Sequence, residues 1–102
     1  MSASDPDVAD PHDAVVRRHV RVTGRVQNVT YRDSTREQAE RLGVVGWVRN
    51  CPDGSVEAEL EGSEAVLDDL LRWMHDGPLL ARVDAVEVEV VPPAGDERFR
   101  VR

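Results

Sequence analysis

The sequence predicts an α+β fold, and three observations carry that expectation. Several segments alternate apolar and polar residues with the period of a half-buried strand, most strictly Ser55-Val56-Glu57-Ala58-Glu59-Leu60-Glu61-Gly62. Two segments instead space apolar residues at three to four and run into a glycine, as helices do. The order of these patterns is strand, helix, strand, strand, helix, strand. Helices separated this way pack on one face of an antiparallel sheet, a β-α-β-β-α-β sandwich of the ferredoxin-like kind, here with a short extra C-terminal strand.

Taken in order, residues 1–14 are acidic, polar and interrupted by Pro6 and Pro11, which predicts a disordered tail ahead of one domain over 15–102. The first strand is expected from Val16 to Thr23, with Val20 and Val22 on one face and Arg17, His19 and Arg21 on the other. A helix follows from about Tyr31 or Asp33 to Leu42, burying Thr35, Ala39 and Leu42 and ending at Gly43. Val44 to Asn50 reads as a second strand, and Cys51-Pro52-Asp53-Gly54 as the turn of a hairpin into the third. Ser63 caps a second helix whose stripe is Val66, Leu67, Leu70, Leu71, Trp73 and Met74, stopped by Gly77-Pro78. Ala81 to Val91 is a fourth strand with Val86, Val88 and Val90 set against Glu87 and Glu89. Arg98 to Arg102 is a short last strand with Phe99 and Val101 inward.

In this arrangement the first strand is central. Its outward Arg17, His19 and Arg21 are then expected to face Glu57 and Glu59 on one side and Glu87 and Glu89 on the other, as a charge-paired solvent surface.

Composition removes several function classes. The chain has 102 residues and a formal charge of -7, with Asp+Glu at 20 against Lys+Arg at 13. That balance argues against a general nucleic-acid binder or a binder of anionic membranes. All of the basic residues are arginine. No apolar run approaches a membrane span, and the N-terminus lacks the apolar core of a secretory signal, which predicts a cytoplasmic protein. Cys51 is the single cysteine, so neither an intrachain disulfide nor a cysteine-based metal site is expected.

The stretch with chemical content is Gly24-Arg25-Val26-Gln27-Asn28-Val29-Thr30-Tyr31-Arg32, between the first strand and the first helix. Converging loop amides, the positive end of a helix and an arginine fork together suit an anion. The stretch lacks the lysine of a P-loop and the glycines of a dinucleotide fingerprint. Chemistry alone leaves two readings: an anion cradle, or an ordinary strand-to-helix turn with a surface arginine.

This loop, followed by Gly46-Trp47-Val48-Arg49-Asn50 and then Asp53-Gly54-Ser55-Val56-Glu57, resembles the acylphosphatase family. The resemblance covers roughly residues 16–102. It implies the ferredoxin-like fold and metal-independent hydrolysis of the mixed anhydride of a carboxylic and a phosphoric acid, with no cofactor. Carried over residue by residue, it makes Arg32 and Asn50 catalytic and gives phosphate binding to Val26, Gln27, Asn28, Val29, Thr30, Tyr31 and Arg32. Arg25 and Gln27 are expected to support the loop. The implied partners are a small-molecule acyl phosphate and its product, inorganic phosphate; a monomer is expected, without nucleic acid or membrane. One position departs from the signature: Asn28 stands where the family has glycine. If that position is left-handed, Asn is the least costly replacement. The departure leaves open an alternative, a catalytically weak acylphosphatase-like binding or regulatory module.

Overall fold

The computed structural model describes residues 14–102, so the predicted tail lies, apart from Ala14, outside the described residues. The elements follow the expected order: β1 (Val15–Arg25), α1 (Tyr31–Leu42), β2 (Val45–Asn50), β3 (Val56–Ser63), α2 (Glu64–Asp76), β4 (Arg82–Val91) and β5 (Phe99–Val101). They form a five-stranded sheet in the order β4-β1-β3-β2-β5. The first four strands pair antiparallel, whereas β5 joins β2 in parallel. The sheet is therefore mixed at that edge rather than antiparallel throughout. The reason is the connection: the chain leaves β4 at one edge and crosses the sheet before starting β5 at the other.

One face of the sheet makes the core. Val20, Ala58 and Val48 stand in register across β1, β3 and β2, with Val22 beside Val56, and all five are fully buried. Against them pack Leu67, Leu70 and Met74 from α2 and Tyr31, Thr35 and Ala39 from α1. Helix α1 lies against β2 and β5, and α2 against β3 and β4. Ser63 caps α2 by accepting a bond from the Val66 amide at 3.4 Å, as its sequence position predicts.

On the other face, charged rows alternate in sign. Glu57 takes His19 Nε2 and Arg49 Nε, each at 2.6 Å, and Arg21 pairs with Asp53. Burial alone would push the Glu57 carboxyl up, but the bonds from His19 and Arg49 hold it below its ordinary range.

Arg17 departs from the expected solvent surface. It is 3 % exposed, bonded to Glu59 at 2.7 Å, Glu61 at 3.1 Å and Asp96 at 3.0 Å. Glu61, 4 % exposed, also accepts the amides of Ala94 at 2.6 Å and Gly95 at 3.0 Å. The crossover between β4 and β5 thus lies over this end of the face, and the Arg17–Glu61 pair fastens it there. Two smaller expectations fail for a related reason. Val101 is exposed although Phe99 is buried, and Val88 and Val90 are exposed although they share Val20's side of the sheet. Alternation assigns a residue to a face; it does not say whether anything covers that part of the face.

Candidate active site

Strands β1 and β2 flank β3 and run in the same direction, so their C-terminal ends fall together. The register puts Val22, Val56 and Asn50 in one row across the three strands. The loop that follows β1 therefore emerges near Asn50, the last residue of β2.

The loop begins at a register shift between Thr23 and Gly24. Gly24 has φ 121°, and a Cβ there would stand 2.2 Å from the Arg82 carbonyl oxygen, so only glycine fits the close approach to β4. Arg25 is exposed beside Arg82. Val26 and Val29 are buried in the core and pin the loop from beneath. Gln27 points sideways, its amide donating to the carbonyls of Cys51 at 2.7 Å and Ser55 at 2.8 Å. This ties the loop to the turn after Asn50, a turn closed by Cys51 N–H to Ser55 O at 2.8 Å. Gln27 thus supports the loop, as the sequence led us to expect, while the mechanism of support was not legible there.

Asn28 has φ 62° and Thr30 φ 66°, both left-handed. The first answers the question raised by the missing glycine: the position is left-handed, and Asn adopts that geometry with the least strain. The second was not foreseen, since a β-branched residue tolerates this conformation poorly. Thr30 is also the N-cap of α1, yet its side chain caps no helix amide; its hydroxyl lies 3.3 Å from that of Ser34. No side chain from the cap takes the first free amides of α1, and the positive end of the helix faces the loop.

Tyr31 contributes backbone to the site and side chain to the core. Its hydroxyl donates to the Met74 carbonyl at 2.7 Å and its ring lies 5.7 Å from that of Trp73. Burial pushes its phenol well above the ordinary range, so it stays protonated and is no acid–base group here. Arg32 follows, with its side chain about one-third exposed but its Nε buried and without a hydrogen-bond partner among the described residues.

Val26, Asn28, Thr30, Tyr31, Arg32, Asp33 and Asn50 line one cavity of about 340 Å³. Arg32 and Asn50, 18 positions apart in the chain, thus share a space with the left-handed loop residues. Val29 and Gln27, also expected at the phosphate, turn their side chains elsewhere. Asp33 was named only as a possible start of the helix and was missed as a lining residue; an acid in the first turn of α1 is explained by the helix dipole alone. Among the described residues no group of three metal-ligating side chains occurs.

The acylphosphatase family model matches residues 18–101. The chain belongs to the acylphosphatase family. An acylphosphatase of Rubrobacter xylanophilus is 61% identical over 87 residues, covering 84% of this chain and 79% of its relative. One of Anaeromyxobacter dehalogenans is 59% identical over 81 residues, covering 79% and 87%. Among solved structures, an acylphosphatase from Coxiella burnetii superposes with a TM-score of 0.84 at 38% identity, covering 86% of this chain and 93% of that one. Family membership makes the chain a hydrolase of acyl phosphates, with a carboxylate and inorganic phosphate as products. The alternative of a weak binding module gains nothing from position 28, where Asn28 holds the left-handed geometry.

Proposed function

We propose that Arg32 and Asn50 carry the hydrolysis, and that the left-handed loop from Val26 to Arg32 holds the phosphoryl group. The observation that bears most weight is the Arg32 Nε beside the cavity, buried and without a hydrogen bond, with the nearest carboxylate oxygen, Asp33 Oδ1, 3.5 Å away. A buried N–H without a hydrogen bond is costly, about 1–3 kcal/mol, and a phosphoryl oxygen within hydrogen-bond distance would complete it. In this reading Arg32 and the free amides at the start of α1 bind the non-bridging oxygens. Asn50 accepts a hydrogen bond from the attacking water through its side-chain carbonyl.

The water oxygen bonds to phosphorus while the bond to the acyl oxygen breaks, its electron pair leaving on the carboxylate. The water proton passes to a phosphoryl oxygen. A carboxylate leaves readily without protonation, and the transition state is loose, so placement and charge stabilisation supply the catalysis. No step calls for a nucleophilic side chain, a metal or a cofactor. We further propose that the chain works as a cytoplasmic monomer without nucleic acid; its net charge of -7 supports the last point.

The test is hydrolysis of an aryl acyl phosphate by the purified chain and by Arg32→Ala. The unchanged chain should turn the substrate over, and the variant should lose at least about 10²-fold while keeping its melting temperature. Equal rates in the two would overturn the assignment of Arg32.

A further inference from the structure

We propose that Asp33 sets the anion affinity of the cradle, keeping phosphate more weakly held than Arg32 and the loop alone would hold it. This rests on the reading that the cavity takes a phosphoryl group. Asp33 lines the same cavity as Arg32 and Asn50. Its Oδ1 stands 3.5 Å from Arg32 Nε, and Arg32 is its one ion-pair partner among the described residues. That separation is too long for a hydrogen bond, and Nε is left without one. The carboxylate therefore pairs with the guanidinium by charge, without a hydrogen bond to Nε. It stands at the rim as a negative charge next to the group that an incoming anion must reach.

An acid in the first turn of a helix suits the helix dipole, which is the structural reason for its presence. The same dipole draws the ligand, so residue and ligand compete for one patch of positive potential. A phosphate bearing nearly two charges is repelled by the carboxylate across a few ångströms, while the carboxylate also partly neutralises Arg32. The consequence is weaker binding of substrate and of product, and easier release of phosphate after each turnover.

The experiment compares the unchanged chain with Asp33→Asn by titration with inorganic phosphate, followed through the amide resonances of Asn28 and Thr30, together with steady-state hydrolysis. Glu40→Gln serves as a control: it removes one exposed charge about two turns further along α1. The Kd for phosphate should fall about three- to tenfold in Asp33→Asn at low salt. KM should fall with it and kcat should not rise. The gap should close in about 1 M salt, where screening acts within about 3 Å. A merely structural role for Asp33 would leave that salt dependence absent.

An unchanged or larger Kd in Asp33→Asn, or an equal tightening in Glu40→Gln, would overturn the proposal. If phosphate binds and tightens as stated but no acyl phosphate is hydrolysed, Asp33 keeps its role and the catalytic reading falls. If hydrolysis proceeds and the Kd values are equal, the role of Asp33 falls alone. Failure of both chains to bind phosphate would overturn both.

Discussion

Glu61→Ala should be among the most damaging substitutions in this chain, although it lies at the opposite end of the sheet from the cradle. The Glu61 carboxylate accepts the Ala94 and Gly95 amides at 2.6 and 3.0 Å and Arg17 Nη1 at 3.1 Å. Removing it strands two amides and leaves Arg17 buried with Glu59 and Asp96 as its remaining partners. Breaking a buried ion pair from one side costs about 3–5 kcal/mol. A small domain has only about 5–15 kcal/mol of stability, and each kcal/mol shifts Tm by roughly 4–8 °C at this size. The variant should therefore melt at least about 12 °C lower and unfold at far less urea. The effect should reach β5, whose pairing with β2 depends on where the crossover lies.

The acid limb gives a second check. Burial would raise the Glu61 carboxyl, but the Ala94 amide, Arg17 and the Gly95 amide outweigh it and hold the group below its ordinary range. The folded state thus binds this proton more weakly than the unfolded chain does. The stabilisation is present at neutral pH and is lost as pH falls below the ordinary carboxylate range and through the depressed folded value. Glu61→Gln should flatten that part of the stability–pH curve. Urea titrations at pH 7 and along a series down to pH 3 measure both effects. A loss under about 1 kcal/mol in Glu61→Ala, with an unchanged acid limb in Glu61→Gln, would show that the crossover is not held by this carboxylate.

At position 28, Asn28→Gly should leave turnover and phosphate affinity unchanged or slightly improved, whereas Asn28→Val should lower both, together with Tm, because a β-branched side chain resists φ 62°. Parallel assays of the three forms check this; Val behaving like Gly would refute it. Gln27→Ala removes both bonds between the loop and the turn after Asn50, so stability should fall by about 1–2 kcal/mol and turnover should fall further than phosphate affinity. Unchanged turnover would show that the tie does not position Asn50. Hydrolysis should continue undiminished in excess chelator; loss of activity restored by added Mg²⁺ would contradict the metal-independent mechanism.

The strand and helix order was legible because the patterns were unambiguous where it mattered. The strict alternation of residues 55–62 could be nothing but a half-buried strand, and Leu67, Leu70 and Met74 mark the buried face of α2. The meeting of the loop, Arg32 and Asn50 at one cavity was legible through the signature residues, and the left-handed Asn28 followed from the glycine it replaces. The parallel β5, the burial of Arg17 and the exposure of Val88, Val90 and Val101 were not legible. Each depends on which distant segment covers a surface, and local periodicity carries no information about coverage. The conformation of Thr30 and the place of Asp33 escaped for a different reason. Thr30 was expected in the loop through the signature, but a left-handed threonine contradicts its own propensity, and a first-turn aspartate has a sufficient helical explanation, so it signals no site until the cavity is seen.

The most direct test of the account separates phosphate binding from turnover in Arg32→Ala and Asn50→Ala. Phosphate affinity and hydrolysis of an aryl acyl phosphate are measured on both variants and on the unchanged chain. If Arg32 holds the phosphoryl group and Asn50 orients the water, Arg32→Ala loses both quantities, and turnover falls by at least about 10²-fold. Asn50→Ala loses turnover while its affinity for inorganic phosphate stays close to that of the unchanged chain. Equal losses of phosphate affinity in the two variants would contradict this division of roles.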